Sequence, residues 1–314
     1  MITAIVSTTK EFTEDHNYFL RHHLLIGVRR FFLFLDDPDA KRSIDLLDIP
    51  PEANVSIIIR DEKLEKRWQS FPEFATYQED IDKLVVKRQA LNVRVAEEMA
   101  FEENISWLFH IDDDELLVSP GWKNIQDYLF FLPPEVKQVT ALNLEALYTK
   151  NLHQGIFNKG LRFKKNPYLM AGSQLELIIM GPKKYFYCSY AHGKSAIRLS
   201  SLNGQSQIPA GVHLFNERSA ETYFQASPFD LVVLHFPFSG SKKLYQKFQG
   251  INRRRIYQYE HLAAKTEVNF YTEARLLESA QEFDDFYEKH VLYKDDEVEY
   301  LQKHNLISEL KLEY

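Results

Sequence analysis

The chain has 314 residues, of which 45% are hydrophobic, 14% aromatic and 26% charged. These proportions are typical of a folded globular protein and exclude a disordered chain, a collagen and a coiled coil. The net charge of −7 argues against bulk attraction to nucleic acid. The single cysteine, Cys188, excludes an intrachain disulfide and a zinc site built from cysteines.

Two features of the chain bear on its location. The longest apolar run, residues 231–238, contains His235 and Pro237 and is much shorter than the roughly 20 apolar residues that a spanning helix needs. The N-terminal sequence MITAIVSTTK lacks the basic start and apolar core of a signal peptide. We therefore expect a cytoplasmic protein.

The first 115 residues alternate between apolar strands and helices. The pattern predicts strands at 2–7, 30–35, 55–60 and 107–111, and helices at 14–27 and 80–103. Continuous apolar strands separated by helices indicate a mostly parallel sheet with helices on both faces. The predicted fold class is therefore α/β.

Polar residues follow three of these strands directly. Thr8 and Lys10 follow the first, Asp36 follows the second, and the acidic run 112–115 follows the fourth. Because the carboxyl ends of parallel strands open onto the same edge, where ligands bind in such sheets, we expect these groups to converge.

The acidic run reads Asp112-Asp113-Asp114-Glu115. Alternate side chains of an extended segment point to the same side, so Asp112 and Asp114 can face one divalent cation while Asp113 points elsewhere. Oxygen ligands suit Mg²⁺ or Mn²⁺. The alternative is a solvated loop or an acidic helix start. The position at the end of a buried strand favours the metal site.

Several sequence blocks carry a family resemblance. They are VSTTKE at 6–11, HHLLIGV at 22–28, FLFLDD at 32–37, RQALN at 88–92 and WLFHIDDDE at 107–115, followed by GKS at 193–195, VH at 212–213 and LHF at 234–236. Over roughly residues 1–250 the chain resembles a branch of family 2-like glycosyltransferases that includes the family 92 type of domain. The most specific part is the DDDE run combined with the first two blocks.

The resemblance implies a GT-A fold, a nucleotide-sugar donor with UDP as the default base, and Mn²⁺ or Mg²⁺ held by Asp112 and Asp114. Asp113 would then lie nearer the donor sugar or ribose. A later histidine often completes the metal sphere in such folds, and His235 is the candidate, with His213 as its rival. The alternative for either histidine is a hydrogen-bonded core residue.

Besides Asp113, five residues are predicted to contact the nucleotide. Thr8, Lys10 and Asp36 leave strand ends, where they can reach the base, ribose or phosphates. Arg88 precedes the acidic strand and can bind a phosphate in a bidentate way. Lys194, in a glycine-containing turn, can neutralise the leaving diphosphate. The alternatives are a surface helix charge for Arg88 and an ordinary loop charge for Lys194.

The second half of the chain differs from the first. Short strands are predicted at 140–148, 173–180, 184–188, 195–199, 211–215 and 231–236, and helices return after residue 241. We therefore predict a catalytic domain at 1–240 and a helical extension at 241–314. Glu145 and Glu176 flank predicted strands and are candidate general bases, although each also fits an ordinary surface acid.

A basic cluster stands out in this acidic chain. Its members are Lys242, Lys243, Lys247, Arg253, Arg254 and Arg255. The cluster can attract an anionic acceptor, a lipid-phosphate carrier or the inner membrane surface, so peripheral membrane contact through 242–255 is one interpretation. A solvated helix face is the other. Single-stranded nucleic acid is disfavoured by the overall negative charge.

The leading hypothesis is a metal-dependent glycosyltransferase that moves a sugar from a nucleotide-sugar donor to an acceptor hydroxyl, in glycan or surface polysaccharide synthesis. One alternative is a metal-dependent phosphohydrolase that uses the same acidic edge. The other is a non-catalytic binding module in which the acidic run only caps a helix.

Overall fold

A computed structural model describes residues 1–152, 155–157, 162–199, 212–215, 222–249 and 270–310. The chain forms two compact units. Unit 1 comprises Met1–Leu142 and Gly193–Val233, and unit 2 comprises Asn143–His192 and Leu234–Glu313. The predicted division into 1–240 and 241–314 stays a prediction about domains. Among the described residues, no helix combines the length and the apolar character needed to cross a bilayer.

The strands in chain order are β1 Thr3–Thr9, β2 Arg30–Leu35, β3 Asn54–Ile59, β4 Trp107–His110, β5 Glu115–Val118, β6 Gln138–Ala141, β7 Asn143–Leu147, β8 Arg162–Lys164, β9 Lys194–Arg198, β10 Tyr223–Gln225, β11 Val232–His235 and β12 Ile307–Glu309. Within the described residues, the α-helices of at least seven residues are α1 Asp15–Leu25, α2 Glu62–Gln69, α3 Val85–Glu102, α4 Ile125–Phe131, α5 Gly172–Ile179, α6 Ser241–Gln249, α7 Ala280–His290 and α8 Asp295–Lys303.

A seven-stranded sheet with the order β10-β6-β9-β4-β1-β2-β3 lies in unit 1. The run β4-β1-β2-β3 is parallel, whereas β9 is antiparallel to both β4 and β6. The structure therefore confirms the predicted α/β class with a parallel-rich sheet.

The strand order places a switch point between β1 and β4. The chain builds β1, β2 and β3 in one direction and then returns to add β4 on the other side of β1. Val6 pairs with His110, so the acidic run that begins at Asp112 lies level with Thr8 and Thr9. Ligands of open α/β sheets bind at such points, beyond the carboxyl ends of the strands.

Both faces of β1, β2 and β4 are buried, whereas the edge strand β3 is partly exposed. On one face, Val6 and Phe34 pack in a cluster with Trp68 of α2 and Leu91 of α3. On the opposite face, residues such as Phe31 are also inaccessible to solvent. This burial on both faces explains why β2 and β4 consist almost entirely of apolar residues.

Unit 2 contains a short antiparallel arrangement. Strand β8 lies between β7 and β12, and Glu145 of β7 is paired in register with Lys164 of β8. Helices α6, α7 and α8 confirm the helical character predicted after residue 241.

Two predicted strands of the second half are wrong. The predicted strand 173–180 is instead covered by helix α5, Gly172–Ile179, and residues 184–188 are not in a strand. A short, mostly apolar run such as 175–179 fits both the helical and the strand period. In the structure it is helical, and Leu177 and Ile178 pack against a core cluster of unit 2. The predicted strand 140–148 divides at Leu142 into β6 and β7. The prediction for 211–215 lies partly outside the described residues.

Candidate functional site

Strand β1 ends beside the acidic run. The hydroxyl oxygen of Thr9 lies 2.6 Å from Oδ2 of Asp113. Nε2 of His16, from α1, lies 3.5 Å from the same oxygen. The backbone N–H of Thr13 donates to Nδ1 of His16, so the ring proton belongs on Nε2, which faces Asp113. Asp113 is thus hydrogen-bonded to Thr9 of β1 and lies in contact with His16 of α1.

Asp112 is held by a second set of contacts. The amide of Gln89, on α3, donates to Oδ1 at 2.8 Å, and the ammonium of Lys194 donates to Oδ2 at 2.6 Å. The backbone N–H of Asp112 donates to Glu115 Oε2, which lies 3.6 Å from the Lys194 ammonium. Lys194 and Glu115 are fully buried, whereas the Asp112 side chain is 24% exposed.

These contacts set the charges of the acidic run. Burial alone would raise the pKa of Asp112, but the Lys194 ammonium outweighs it and holds that pKa well below its usual range. Burial raises the pKa of Glu115 well above its usual range. Burial opposes the charge of Lys194, but Asp112 and Glu115 raise its pKa. Lys194 and Asp112 therefore form a charged pair at neutral pH.

Gly193 allows this pair to form. Its φ is +73°, and a Cβ atom there would lie 2.1 Å from the carbonyl oxygen of Ala141. Only glycine fits this conformation without displacing the neighbouring backbone. Lys194 follows directly as the first residue of β9, where it pairs with Ala141. The predicted glycine-containing turn is therefore what places the lysine inside the sheet rather than on a loop.

The end of β2 carries another fixed charge pair. Arg88 donates from Nε to Oδ1 of Asp36 and from Nη2 to Oδ2, both at 2.6 Å. The Arg88 and Asp36 side chains are 9% and 10% exposed. The surface-charge alternative for Arg88 is therefore wrong. The guanidinium fixes the plane and orientation of the Asp36 carboxylate.

A buried hydrogen-bond chain supports Thr8. Trp68 Nε1 donates to Asn92 Oδ1 at 3.1 Å, and Asn92 Nδ2 donates to the Thr8 hydroxyl at 3.0 Å. Sequence reasoning missed Asn92 and Gln89 as site residues. The signal was present, because Asn92 stands four positions after Arg88 and three positions after Gln89, so the three polar side chains share one face of the helix.

Other predicted residues lie elsewhere. Lys10 is exposed just after β1. Glu176 is exposed on α5, so it does not flank a strand as predicted. His213 is partly buried, and its Nδ1 lies 3.1 Å from the carbonyl oxygen of Gly193.

The basic cluster is described only in part. Lys242, Lys243 and Lys247 lie on α6 and are exposed, and the apolar face of that helix buries Leu244 and Phe248. Arg253, Arg254 and Arg255 lie outside the described residues. Membrane contact through 242–255 stays a prediction.

Glu145 belongs to a closed cluster in unit 2. It is 1% exposed, so the surface-acid interpretation is wrong. Its carboxylate contacts the Lys164 ammonium and accepts the backbone N–H groups of Cys188 at 3.0 Å and Ser189 at 2.9 Å. Burial alone would raise the pKa of Glu145, but Lys164 lowers it below its usual range.

His235 lies at the end of β11 and is 3% exposed. Its Nδ1 is 3.0 Å from the hydroxyl oxygen of Ser189, and its ring centroid is 4.8 Å from that of Tyr190. Asp112, Asp113 and Asp114 belong to unit 1, whereas His235 and Glu145 belong to unit 2. The assignment of His235 as a metal ligand stays a prediction.

No protein-family model matches the chain. The chain is similar to two curated proteins of Arabidopsis thaliana. It is 28% identical over 268 residues to glycosyltransferase-like At2g41451, covering 80% of this chain and 55% of the relative. It is 24% identical over 274 residues to glycosyltransferase-like At3g57200, covering 81% of this chain and 48% of the relative. The chain thus spans about half the length of these relatives.

Among solved structures, HddC from Yersinia pseudotuberculosis matches with a TM-score of 0.36 and 10% identity, covering 78% of this chain and 97% of that one. This TM-score does not establish a shared fold.

Proposed function

We propose that this chain is a glycosyltransferase that moves a sugar from a nucleotide-sugar donor to an acceptor hydroxyl. The observation that carries the proposal is the convergence of Thr8, Thr9 and Asp113 beside the β1–β4 switch point. Beside them, Asp36 follows the neighbouring strand β2 directly and is fixed by Arg88 of α3. The two relatives named glycosyltransferase-like support the reaction class. The sequence resemblance to the family 92 branch supports a GT-A fold and a UDP-sugar donor.

The acidic run fits a divalent metal by its donor chemistry. Asp112 and Asp114 supply carboxylate oxygens, which Mn²⁺ and Mg²⁺ prefer. Each carboxylate oxygen has two lone pairs, so Asp112 can accept from Gln89 and Lys194 and still bind a cation. When bound, such a metal stabilises the charge that develops on a departing diphosphate. We propose Asp112 and Asp114 as its ligands, with His235 as a third.

The remaining roles follow from charge and position. Asp36, oriented by Arg88, can accept hydrogen bonds from the ribose or base. We propose that Asp113, which is hydrogen-bonded to Thr9, contacts the sugar or ribose. Lys194 adds a preorganised cation beside the acidic run, and such fixed charges stabilise developing negative charge without reorganisation.

The test is incubation with a panel of nucleotide sugars and Mn²⁺, with release of the nucleoside diphosphate as the readout. We expect release to depend on the donor, on the metal and on Asp112 and Asp114. The matched control is Asp127→Ala, which removes an exposed acid on α4. Hydrolysis of plain phosphoesters without preference for a nucleotide sugar would contradict this function and favour a phosphohydrolase. Failure to bind any nucleoside diphosphate would favour a binding module.

The metal ligands are tested separately. We expect His235→Ala to weaken Mn²⁺ affinity, measured by calorimetry in the presence of UDP, more than His213→Ala does. The reverse order would assign the third ligand to His213.

A further inference from the structure

A buried chain of polar groups runs through unit 2 from an ion pair to an imidazole. Lys164 contacts Glu145, Glu145 contacts the Ser189 hydroxyl, and that hydroxyl lies 3.0 Å from Nδ1 of His235. All four residues are at most 3% exposed. Sequence reasoning treated Glu145 and His235 separately and did not single out Ser189.

The direction of each hydrogen bond in this chain follows from the donors available. A carboxylate paired with an ammonium only accepts, so the Ser189 hydroxyl donates its single proton to Glu145. The Ser189 oxygen can then only accept from His235, which requires a proton on Nδ1. In the neutral ring the lone pair is therefore on Nε2.

The imidazole is fixed in orientation as well as in tautomer. Its ring packs against Tyr190 with a centroid separation of 4.8 Å and an interplanar angle of 35°. Ser189 itself is held at both its backbone and its side chain, because its N–H also donates to Glu145 at 2.9 Å. Each side chain from Lys164 to His235 therefore has a defined polar partner, and such outer contacts fix the tautomer and ring orientation of a metal-binding histidine.

We propose that Glu145 and Ser189 are positioning residues that hold His235 in the Nδ1–H tautomer and thereby present Nε2 as an acceptor for a divalent cation. The cation part of this proposal rests on the proposed function, whereas the tautomer part does not. Glu145 then acts through a neighbouring residue and not as a general base.

The tautomer is tested without metal. Long-range ¹H–¹⁵N NMR spectra of the metal-free protein at pH 8 distinguish a protonated ring nitrogen from one with a lone pair, and His235→Ala assigns the signal. We expect Nδ1 protonated in the wild type, a shift of the population toward Nε2–H in Ser189→Ala, and recovery in Ser189→Thr, which keeps the hydroxyl. The matched control is Ser119→Ala, another buried serine whose hydroxyl donates to the Asp230 carbonyl. A wild-type proton on Nε2, or an unchanged Ser189→Ala spectrum, would overturn the proposal.

The consequence for the cation is measured by calorimetry with Mn²⁺ in the presence of UDP. Outer contacts to a metal-binding histidine are typically worth a factor of about 10–100 in affinity, so we expect a loss of that order in Ser189→Ala and recovery in Ser189→Thr. If His235→Ala weakens the Mn²⁺ affinity but Ser189→Ala leaves it unchanged, the positioning role is refuted. If the Mn²⁺ affinity of His235→Ala equals that of the wild type, His235 is not a metal ligand. The NMR result would still decide the tautomer.

Discussion

The two units use buried charge in different ways. At the sheet edge of unit 1, Asp112 and Asp113 retain 24% and 36% exposure of their side chains although Lys194 and His16 contact them. In unit 2, Glu145 and Lys164 form a pair that is closed to solvent, with side chains 1% and 3% exposed. The partly open carboxylates can still accept a ligand, whereas the closed pair can only position its neighbours.

This difference in exposure separates two roles, binding a ligand and positioning a neighbour, that sequence patterns do not distinguish. An acid at a strand end and an acid within a strand both read as candidate catalytic groups. The solvent that reaches each one, and the number of donors around it, decide between binding and positioning.

Removing Glu145 tests the closed pair of Glu145 and Lys164. Glu145→Ala leaves the buried Lys164 ammonium without its partner, and we expect it to lower the free energy of unfolding by about 3–5 kcal/mol. The matched change Asp113→Ala removes a partly exposed carboxylate and is expected to cost less than about 1 kcal/mol. Urea unfolding measures both. Equal losses would remove the distinction between the two units.

The second prediction concerns the turn that places Lys194. Gly193→Ala forces a left-handed residue and a Cβ clash with Ala141, and we expect a loss of at least about 1–2 kcal/mol in the free energy of unfolding. Gly172→Ala is the control, because no atom lies within 4 Å of its added Cβ. We expect that change to be neutral or to stabilise by up to about 1 kcal/mol. Similar losses in both variants would contradict the special role of Gly193.

The third prediction extends the comparison to a closed group within unit 1. Nδ1 of His23 lies 2.8 Å from the Phe19 carbonyl oxygen, and its Nε2 accepts the N–H of Leu117. Burial, with a smaller contribution from neighbouring His22, lowers the pKa of His23 well below 6.5.

Because the unfolded chain binds this proton more readily than the folded one, stability should fall as the pH drops below about 6.5. The slope from this residue is at most about 1.4 kcal/mol per pH unit. We expect His23→Gln to be less stable at pH 7 but to have a flatter profile between pH 6.5 and 5, as measured by urea unfolding. His192→Gln, at an exposed position, is the control. A profile for His23→Gln as steep as that of the wild type would contradict the assignment.

The Thr9 hydroxyl beside Asp113 can be removed by itself at the open edge of unit 1. Thr9→Val removes the hydroxyl that lies against Asp113, which we expect to weaken UDP affinity by a few-fold, in line with about 1 kcal/mol for one hydrogen bond. Calorimetry measures the affinity, and thermal unfolding checks that the fold is kept. A loss of more than 100-fold would mean that Thr9 does more than position Asp113.

Much of unit 1 could be predicted because its signals are local. Residues 31–35 are continuously apolar and are followed by acids, which indicates both the strand and its polar end. The register that brings Thr9 to Asp113 follows from adjacent parallel strands. What could not be predicted is which side chains contact each carboxylate. The partners Lys194, Gln89 and His16 come from β9, α3 and α1, and no short window of sequence shows them together.

Unit 2 was harder to predict for the same reason. The residues around Glu145 come from β8 and from the irregular segment that follows α5. The sequence at 173–180 also fitted a strand as well as a helix. A short, mostly apolar run such as 175–179 is compatible with the helical period of 3.6 residues and with the strand period of two.

The central claim is that the acidic run at the end of β4 binds a cation together with a nucleoside diphosphate. Titration calorimetry of UDP in the presence of Mn²⁺ tests this claim most directly, using the wild type, Asp114→Ala and the control Asp127→Ala. We predict that Asp114→Ala abolishes measurable metal-dependent binding while its thermal unfolding and that of the control remain close to wild type. Unchanged UDP and Mn²⁺ affinity in a folded Asp114→Ala protein would contradict the account.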